Sequence, residues 1–416
     1  MYGKKIEKYV PEPQSVKSDT YIACHYYPGW EVDGDVPHGG MLDLVEYPER
    51  TPLLGYYDGK DPEVIDWEIK WACEHGINCF IFCWYRYKEN MGKPVTGEGI
   101  RLAKTLHEGF FNAKYQNHMD FAIMWECDST WGTALDQEDL CKHLLPFWVE
   151  NYFSKPNYMK IDGKPVVFVY GAVNAIAAFG TIEDSRNAFE ACKQEIKNYG
   201  FEGLIFSVEQ YQPNMEQLGE RLDAGFDCSF QYGNAPLTFT VSEEIAEEYQ
   251  KTMQLPAGFP ISYQMERVEE RIQHYPGKCM FTASCFRDTS ETWEARFHRT
   301  RSSDCTLMWK LSPKEFRNLL QKLKERVSRL PKEDIGRRII ILDNWNEWGE
   351  GHYIAPCAEH GFQYLQAVRE VFTECDNIPD YRLPDVIGLG PYDGPYKDEY
   401  GEMKEAMLGK TKYLID

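Results

Sequence analysis

The stretch Arg338-Ile-Ile-Ile-Leu-Asp-Asn-Trp-Asn-Glu-Trp-Gly-Glu-Gly-His-Tyr353 joins an apolar run to a polar and aromatic segment. Residues 339–342 form a short apolar run of the kind that makes a strand buried on both faces. The chain then places Glu347 and Glu350 three residues apart, among tryptophans and amides. Two carboxylates at the end of a buried strand are difficult to explain by packing alone. They fit an acid/base pair in a cleft that binds sugars.

Short apolar runs and helical segments, one of them predicted over 99–111, alternate along the chain. Eight such runs begin at Tyr21, Ile77, Asp120, Val166, Leu204, Phe226, Lys278 and Ile339. This alternation predicts a single (β/α)8 TIM barrel of the α/β class, with extended βα loops. A doubly wound sheet is the competing interpretation. It is disfavoured because no G-x-G-x-x-G turn follows the first strand. We expect an N-terminal arm at 1–20, the catalytic barrel at 21–375, and a tail packed on the barrel at 376–416.

The composition narrows the class of protein. The 416 residues are 43% hydrophobic, which is enough for a substantial core. A net charge of −21 argues against nucleic acid and anionic membranes as partners. The 13 cysteines are scattered, and no Cys/His cluster has zinc spacing, so no metal or other cofactor is predicted. No signal peptide or membrane span is visible, which favours a cytoplasmic protein, although a trimmed secreted chain would look the same. The oligomeric state is left open.

The strand ends supply the candidate site, because barrel enzymes carry their chemistry at the carboxyl ends of the strands. Aromatic, carboxylate and amide side chains occupy these positions, and few cations do. Such a mixture suits a carbohydrate, since rings bind C–H faces while carboxylates and amides bind hydroxyls. The predicted substrate-binding residues are Tyr26, Tyr27, Trp84, Tyr85, Trp125, Glu126, Glu209, Asp288, Asn344, Asn346 and Trp348.

Each candidate also has a structural interpretation. Glu347 and Glu350 could be acids at a helix N-terminus, which is a common structural use. Glu126 and Glu209 could each anchor a loop, and Asp288 could form an ion pair with its neighbour in the sequence. The strand-end tryptophans could belong to the core as readily as to a cleft.

Four blocks of sequence resemble the glycoside hydrolase family 99-like group. They are residues 26–30, 52–58, 75–85 and 343–351, and the last contains the signature Asn-Glu-Trp-x-Glu-Gly. This group includes proteins labelled as lipopolysaccharide-biosynthesis or glycosyltransferase-like proteins, and its best-known branch is the endo-α-mannosidases. The likeness spans roughly residues 21–375.

The resemblance implies a (β/α)8 barrel and a retaining, metal-free glycoside hydrolase. In the mannosidase branch one glutamate takes the proton of the substrate 2-hydroxyl, which closes onto C1. The other glutamate protonates the leaving oxygen and then activates water. By motif position these roles fall on Glu347 and Glu350, which would be the catalytic residues.

The chain departs from the family pattern near this motif. Gly349 stands where the mannosidase branch has His, and Ala355 stands where the family usually has Glu. In the third-strand block, Glu126 stands where the usual pattern has Ala. Mannose specificity is therefore not carried over. Two alternatives stay open: a glycosyltransferase of polysaccharide biosynthesis and a non-catalytic barrel that binds glycans.

Overall fold

The computed structural model describes residues 8–32, 41–128, 130–211, 214–234, 236, 241–252, 254–288 and 307–396. Among these residues, no helix is long and apolar enough to cross a membrane.

Eight parallel strands form the centre of the protein. They are Tyr21–Tyr26 (β1), Cys79–Arg86 (β2), Asp120–Glu126 (β3), Lys164–Tyr170 (β4), Ile205–Glu209 (β5), Cys228–Phe230 (β6), Phe281–Ser284 (β7) and Ile339–Asp343 (β8). Their order in space is β6-β5-β4-β3-β2-β1-β8-β7. Nearly every residue of these strands is buried, which explains why the sequence shows apolar runs rather than strict alternation.

The two ends of this row of strands meet. A parallel bridge joins Ser229 of β6 to Cys279, two residues before β7 begins. The Ser229 amide donates to the carbonyl of Lys278 at 2.8 Å, and the Met280 amide donates to the carbonyl of Ser229 at 2.8 Å. The predicted (β/α)8 barrel is therefore confirmed.

Helices surround the barrel. The α-helices are Pro62–Glu74, Gln137–Asp139, Leu145–Trp148, Ala172–Ala177, Ile182–Glu195, Met215–Asp223, Glu243–Thr252, Phe259–His274, Pro313–Val327, Ile335–Arg338 and Gln363–Phe372. Helix starts follow the expected chemistry. Asp61 caps the first helix with Pro62 at its first position, and Ser312 forms a capping box with Glu315. From 137 to 153 the helix alternates between α and π turns. The π turns are Leu140–Leu144 and Val149–Phe153.

Six two-residue strands lie in the described loops around the barrel. They are Ile100–Arg101, Lys160–Ile161, Phe286–Arg287, Trp309–Lys310, Asn346–Glu347 and His352–Tyr353. The first of them replaces the start of the helix predicted over 99–111, because Arg101 and Ile100 pair with Tyr85 and Arg86 at the end of β2. Leu102 then takes a positive φ of 54°, which breaks any helix there, and only the π turn Thr105–Gly109 and a 3-10 turn follow.

A buried ion pair ties the helical layer to the barrel. Arg86, at the end of β2, donates to both carboxylate oxygens of Asp139, at 2.6 and 3.0 Å. Both side chains are almost fully buried, and Arg86 also donates to the carbonyls of Thr133, Asn90 and Lys93. The pair thus organises the loops that follow β2 and β3.

We expect Asp139→Asn to lower the free energy of unfolding by about 3–5 kcal/mol, because it leaves the Arg86 cation buried without its counterion. Chemical denaturation followed by circular dichroism measures this change. The control is Asp162→Asn, which breaks a pair with Arg338 that is largely exposed to solvent and should change stability little. Equal effects of the two substitutions would contradict a structural role for the buried pair.

Candidate functional site

The segment after β8 is held in place by the end of β1. The Trp345 amide donates to the carbonyl of His25 at 2.6 Å, and the Tyr27 amide donates to the side-chain oxygen of Asn346 at 2.8 Å. The Trp30 indole donates to the carbonyl of Asn346 at 2.7 Å. The segment then folds back as a small antiparallel ladder that pairs Asn346–Glu347 with His352–Tyr353. These bonds set the direction of both candidate catalytic carboxylates.

Glu347 lies in the floor of the barrel mouth and is 1% exposed. The Tyr232 hydroxyl donates to its Oε2 at 3.3 Å and accepts from the side-chain amide of Asn344 at 2.8 Å. Burial raises the pKa of Tyr232 well above its ordinary value, and the charges of Cys83, Glu347 and Glu350 add to the rise. Tyr232 therefore stays a hydroxyl that can donate to Glu347.

Glu350 has a different environment from Glu347. Its side chain is 19% exposed, and its Oε2 accepts from Nε2 of His352 at 2.9 Å. The Arg287 guanidinium lies 3.2 Å from the same oxygen. Two cationic groups on one carboxylate oxygen favour the ionised form of that carboxylate.

His352 connects Glu350 to the end of β8. Its Nδ1 lies 2.6 Å from Oδ1 of Asp343, and the Ser284 hydroxyl donates to Oδ2 of Asp343 at 2.6 Å. Burial alone would lower the pKa of His352. The charge of Asp343 and the hydrogen bonds to Asp343 and Glu350 outweigh burial and raise this pKa to about 9. The imidazole is therefore cationic at neutral pH.

Two further carboxyl groups lie on the opposite side of the mouth. Glu126 pairs in register with Tyr170, and Glu209 follows the pair Val169–Val208, so the three residues end neighbouring strands at one level. Burial raises the pKa of Glu126 well above its ordinary value, and the charges of Asp128, Glu209 and Glu350 raise it further. Burial also raises the pKa of Glu209 to about 7, against the opposing charges of Arg221 and Arg271. Both groups can therefore be neutral hydrogen-bond donors near neutral pH.

Aromatic side chains line the wall between β1 and β3. The pKa values of Tyr27 and Tyr85 are raised by burial, and the charge of Glu347 raises both further. The Trp131 ring packs edge-on against Tyr85 with centroids 5.4 Å apart, and Arg101 stacks over Trp131 at 4.4 Å. Rings of this kind supply the apolar surface that a sugar ring stacks on.

Three predicted aromatic residues lie on the outer face of the barrel instead of in its mouth. The Tyr26 hydroxyl donates to Glu68 of the first helix at 2.7 Å. Trp84 donates to Tyr152, and Trp84 and Trp125 both pack against Trp148 of the helical layer. Successive side chains of a strand point to opposite faces, so each of these rings alternates with an inward neighbour. The prediction that Tyr26, Trp84 and Trp125 bind substrate is corrected accordingly.

Three other predicted residues lie beside the mouth without entering it. Asn346 binds the backbone at Tyr27, and Trp348 donates to Tyr57 at 3.2 Å while its ring packs on Tyr353 at 4.3 Å. Asp288 pairs with Arg50 at 3.2 Å rather than with its neighbour Arg287, and its side chain is 39% exposed. These contacts hold the segment after β8 in place and leave these three side chains outside the mouth.

Three residues of the site carry no role in the sequence prediction. Tyr232, Arg287 and His352 contact the candidate carboxylates, and only strand-end position could have drawn attention to the first two. His352 follows the signature motif by one residue, but no sequence pattern indicates that it lies between two carboxylates. In the described part of the chain, no cluster of His, Cys, Asp and Glu has the arrangement of a metal site.

Two comparisons concern sequence. A protein-family model described as glycosyltransferase WbsX matches residues 46–368. An uncharacterized protein WxcX from Xanthomonas campestris pv. campestris (strain B100) is 21% identical over 349 residues, which cover 80% of this chain and 44% of the relative. The chain thus spans less than half the length of this curated relative.

Solved structures share the fold. A GH99 endo-alpha-mannosidase from Bacteroides thetaiotaomicron superposes with a TM-score of 0.50 at 15% identity, covering 94% of this chain and 100% of the other. A glycoside hydrolase-like protein gives a TM-score of 0.57 at 16% identity, covering 88% and 98%. These likenesses show that the chain shares the (β/α)8 barrel fold of these proteins. With most of its length matched, the chain belongs to the family described as glycosyltransferase WbsX.

Proposed function

We propose that this protein is a glycoside hydrolase that cleaves an oligo- or polysaccharide with retention of configuration. The observation that carries the proposal is the pair Glu347 and Glu350. The two carboxylates reach one barrel mouth from one loop and have different partners there. Such a difference in environment is how enzymes give two carboxylates separate roles.

In the proposed mechanism Glu347 takes the proton of the substrate 2-hydroxyl. The freed oxygen attacks C1, the bond from C1 to the leaving oxygen breaks, and Glu350 gives that oxygen a proton. Water then opens the 1,2-anhydro sugar from the face that the leaving group vacated, and it gives its proton back to Glu350. Glu347 returns its proton to the 2-oxygen. Two inversions at C1 give overall retention.

The other mouth residues have binding roles in this proposal. Glu126 and Glu209, as neutral carboxyls, donate to substrate oxygens, and Tyr27 and Tyr85 pack against a sugar face. Tyr232 holds Glu347 on the side from which the 2-hydroxyl approaches. These roles follow the general pattern of sugar sites, in which few polar groups fix orientation and rings supply area.

The family description raises a second candidate, a glycosyltransferase. A nucleotide-sugar donor carries a diphosphate, which basic side chains commonly bind. In the described part of the mouth, the Arg287 guanidinium already lies against Glu350, and Arg101 stacks on Trp131. These contacts favour the hydrolase.

A glycan panel tests the proposal. Purified protein is incubated with plant, fungal and bacterial oligosaccharides, and NMR follows the products and their first-formed anomers. Hydrolysis with retention supports the proposal. Transfer only in the presence of a nucleotide sugar would favour the glycosyltransferase, and binding without products would favour the non-catalytic barrel.

We expect Glu350→Gln to lower kcat/KM on an unactivated glycoside by about 10²–10⁴-fold, because the leaving oxygen loses its proton donor. An aryl glycoside with a dinitrophenol leaving group should lose far less, since that group leaves without a proton. Initial-rate kinetics on both substrates measure the difference. The control is Glu359→Gln, an acid that pairs with Lys310 outside the mouth. Equal losses on both substrates would contradict the acid role.

We expect Glu347→Gln to lower kcat/KM on both substrate types by about 10²–10⁴-fold. The reason is that attack by the 2-oxygen requires removal of its proton whatever the leaving group. A 2-deoxy-2-fluoro analogue, which has no hydroxyl to deprotonate, should not react even with the unchanged protein. Turnover of that analogue would rule out participation of the 2-hydroxyl.

A further inference from the structure

The proposed function creates a requirement that Glu350 alone does not meet. Glu350 has to give a proton to the leaving oxygen. Its Oε2, however, lies 2.9 Å from Nε2 of His352 and 3.2 Å from the Arg287 guanidinium, which are both positively charged. Opposite charges at this distance favour the ionised carboxylate. A carboxylate that is ionised before the reaction needs another group to hold the proton.

We propose that His352 is the residue that holds this proton and that orients Glu350, so that the two form one acid/base unit anchored by Asp343 and Ser284. The inference rests on the proposed function and deepens it. In the first step Glu350 passes a proton to the leaving oxygen, and the Nε2 proton of the His352 imidazolium moves to Glu350. In the second step water gives one proton back, and it returns through Glu350 to Nε2. At the end of the cycle His352 is again an imidazolium and Glu350 is again a carboxylate.

The geometry supports a fixed chain. Ser284 donates to Asp343 at 2.6 Å, Asp343 binds Nδ1 of His352 at 2.6 Å, and Nε2 faces Glu350 at 2.9 Å. Asp343 therefore fixes the ring so that Nε2 points at Glu350. The first two partners of this chain come from β7 and β8, whose backbones pair in register at Ser284 and Asp343. A site built on rigid strands holds its rings more closely than one built on loops alone.

The charges around His352 agree with a stored proton. Asp343 and Glu350 face its two nitrogens, and the edge of Tyr232 faces the ring with centroids 5.6 Å apart. His25 of β1 adds no positive charge near His352, because burial lowers the pKa of His25 to about 3. Arg287 lies 3.2 Å from the same Glu350 oxygen that His352 contacts. Among the described residues, the carboxylates of Asp343 and Glu350 thus stabilise the imidazolium in a buried place.

The alternative is a purely structural ion cluster that only ties the loop after β8 to the barrel. The two roles differ in how activity depends on pH. For a shared proton, the alkaline limb of kcat/KM reports the loss of the single proton of the pair. That limb should lie near pH 9, the pKa of His352. A structural cluster would change the size of kcat/KM without moving this limb.

We expect His352→Gln to move the alkaline limb to below about pH 6, because the variant has no imidazolium to store the proton. At pH 7.5 this shift predicts a loss of at least about 30-fold in kcat/KM on the unactivated glycoside, with less loss on the dinitrophenyl glycoside. Asp343→Asn keeps the histidine, and it should move the limb down by about one unit or more. A uniform loss in both variants, with the limb unmoved, would overturn the proposal.

The matched control is His75→Gln. His75 is equally buried, binds the carbonyl of Trp71 at 2.6 Å, and lies at the end of the first helix, just before β2 begins. Its loss should cost stability as any buried histidine does. The alkaline limb should stay at its position in the unchanged protein.

A second measurement needs no substrate. In ¹⁵N NMR of imidazole-labelled protein, the signal that His352→Gln removes should show both ring nitrogens protonated at pH 7, and Glu350→Gln should lower its titration midpoint. A neutral ring at pH 7 would overturn the proposal whatever the kinetics show. If the glycan panel reveals no hydrolysis, the proposed function fails and the proton transfer fails with it. The NMR result then shows separately whether the imidazolium exists.

Discussion

The site depends on the hydrogen bonds between the end of the first strand and the segment after the last. The amide of Tyr27 binds Asn346, the indole of Trp30 binds the carbonyl beside it, and Trp345 binds the carbonyl of His25. These partners lie more than 300 residues apart in the chain. The pairing of β1 with β8 therefore also places the Asn-Glu-Trp-Gly-Glu segment. A rigid ring of strands then fixes the two carboxylates more firmly than a free loop could.

The fold could be predicted from the sequence because several independent patterns indicated the same architecture. Buried runs, helix caps and the eightfold alternation all indicated one barrel, and each strand begins within three residues of its predicted run. It could not predict the start of the segment at 99–111. There, pairing of Arg101 with Tyr85 outweighs helical propensity, and the positive φ of Leu102 follows. Such pairing is a tertiary contact that local pattern does not reveal.

The candidate site was predictable only in part, and strand alternation explains the limit. Carboxyl-end position correctly selects the end of a strand, but two neighbouring residues there face opposite sides. Tyr85 and Glu126 face the mouth, whereas Trp84 and Trp125 meet the helices. Both faces of a barrel strand are buried, so hydrophobicity does not distinguish them. His352 could not be found either, since its role depends on three-dimensional proximity to Asp343 and Glu350.

The junction between β6 and β7 differs from the other junctions of the barrel. β1 and β8 are paired at four registered positions, whereas β6 meets the chain before β7 at a single bridge through Ser229. Side chains hold this seam instead, since the Thr282 hydroxyl donates to the carbonyl of Gln231 at 2.6 Å and the Asn234 side chain donates to the carbonyl of Thr282 at 3.2 Å. Tyr232 follows β6 by two residues and bridges Asn344 and Glu347. The position of the hydroxyl that orients Glu347 therefore depends on side-chain hydrogen bonds across this seam and not on strand pairing alone.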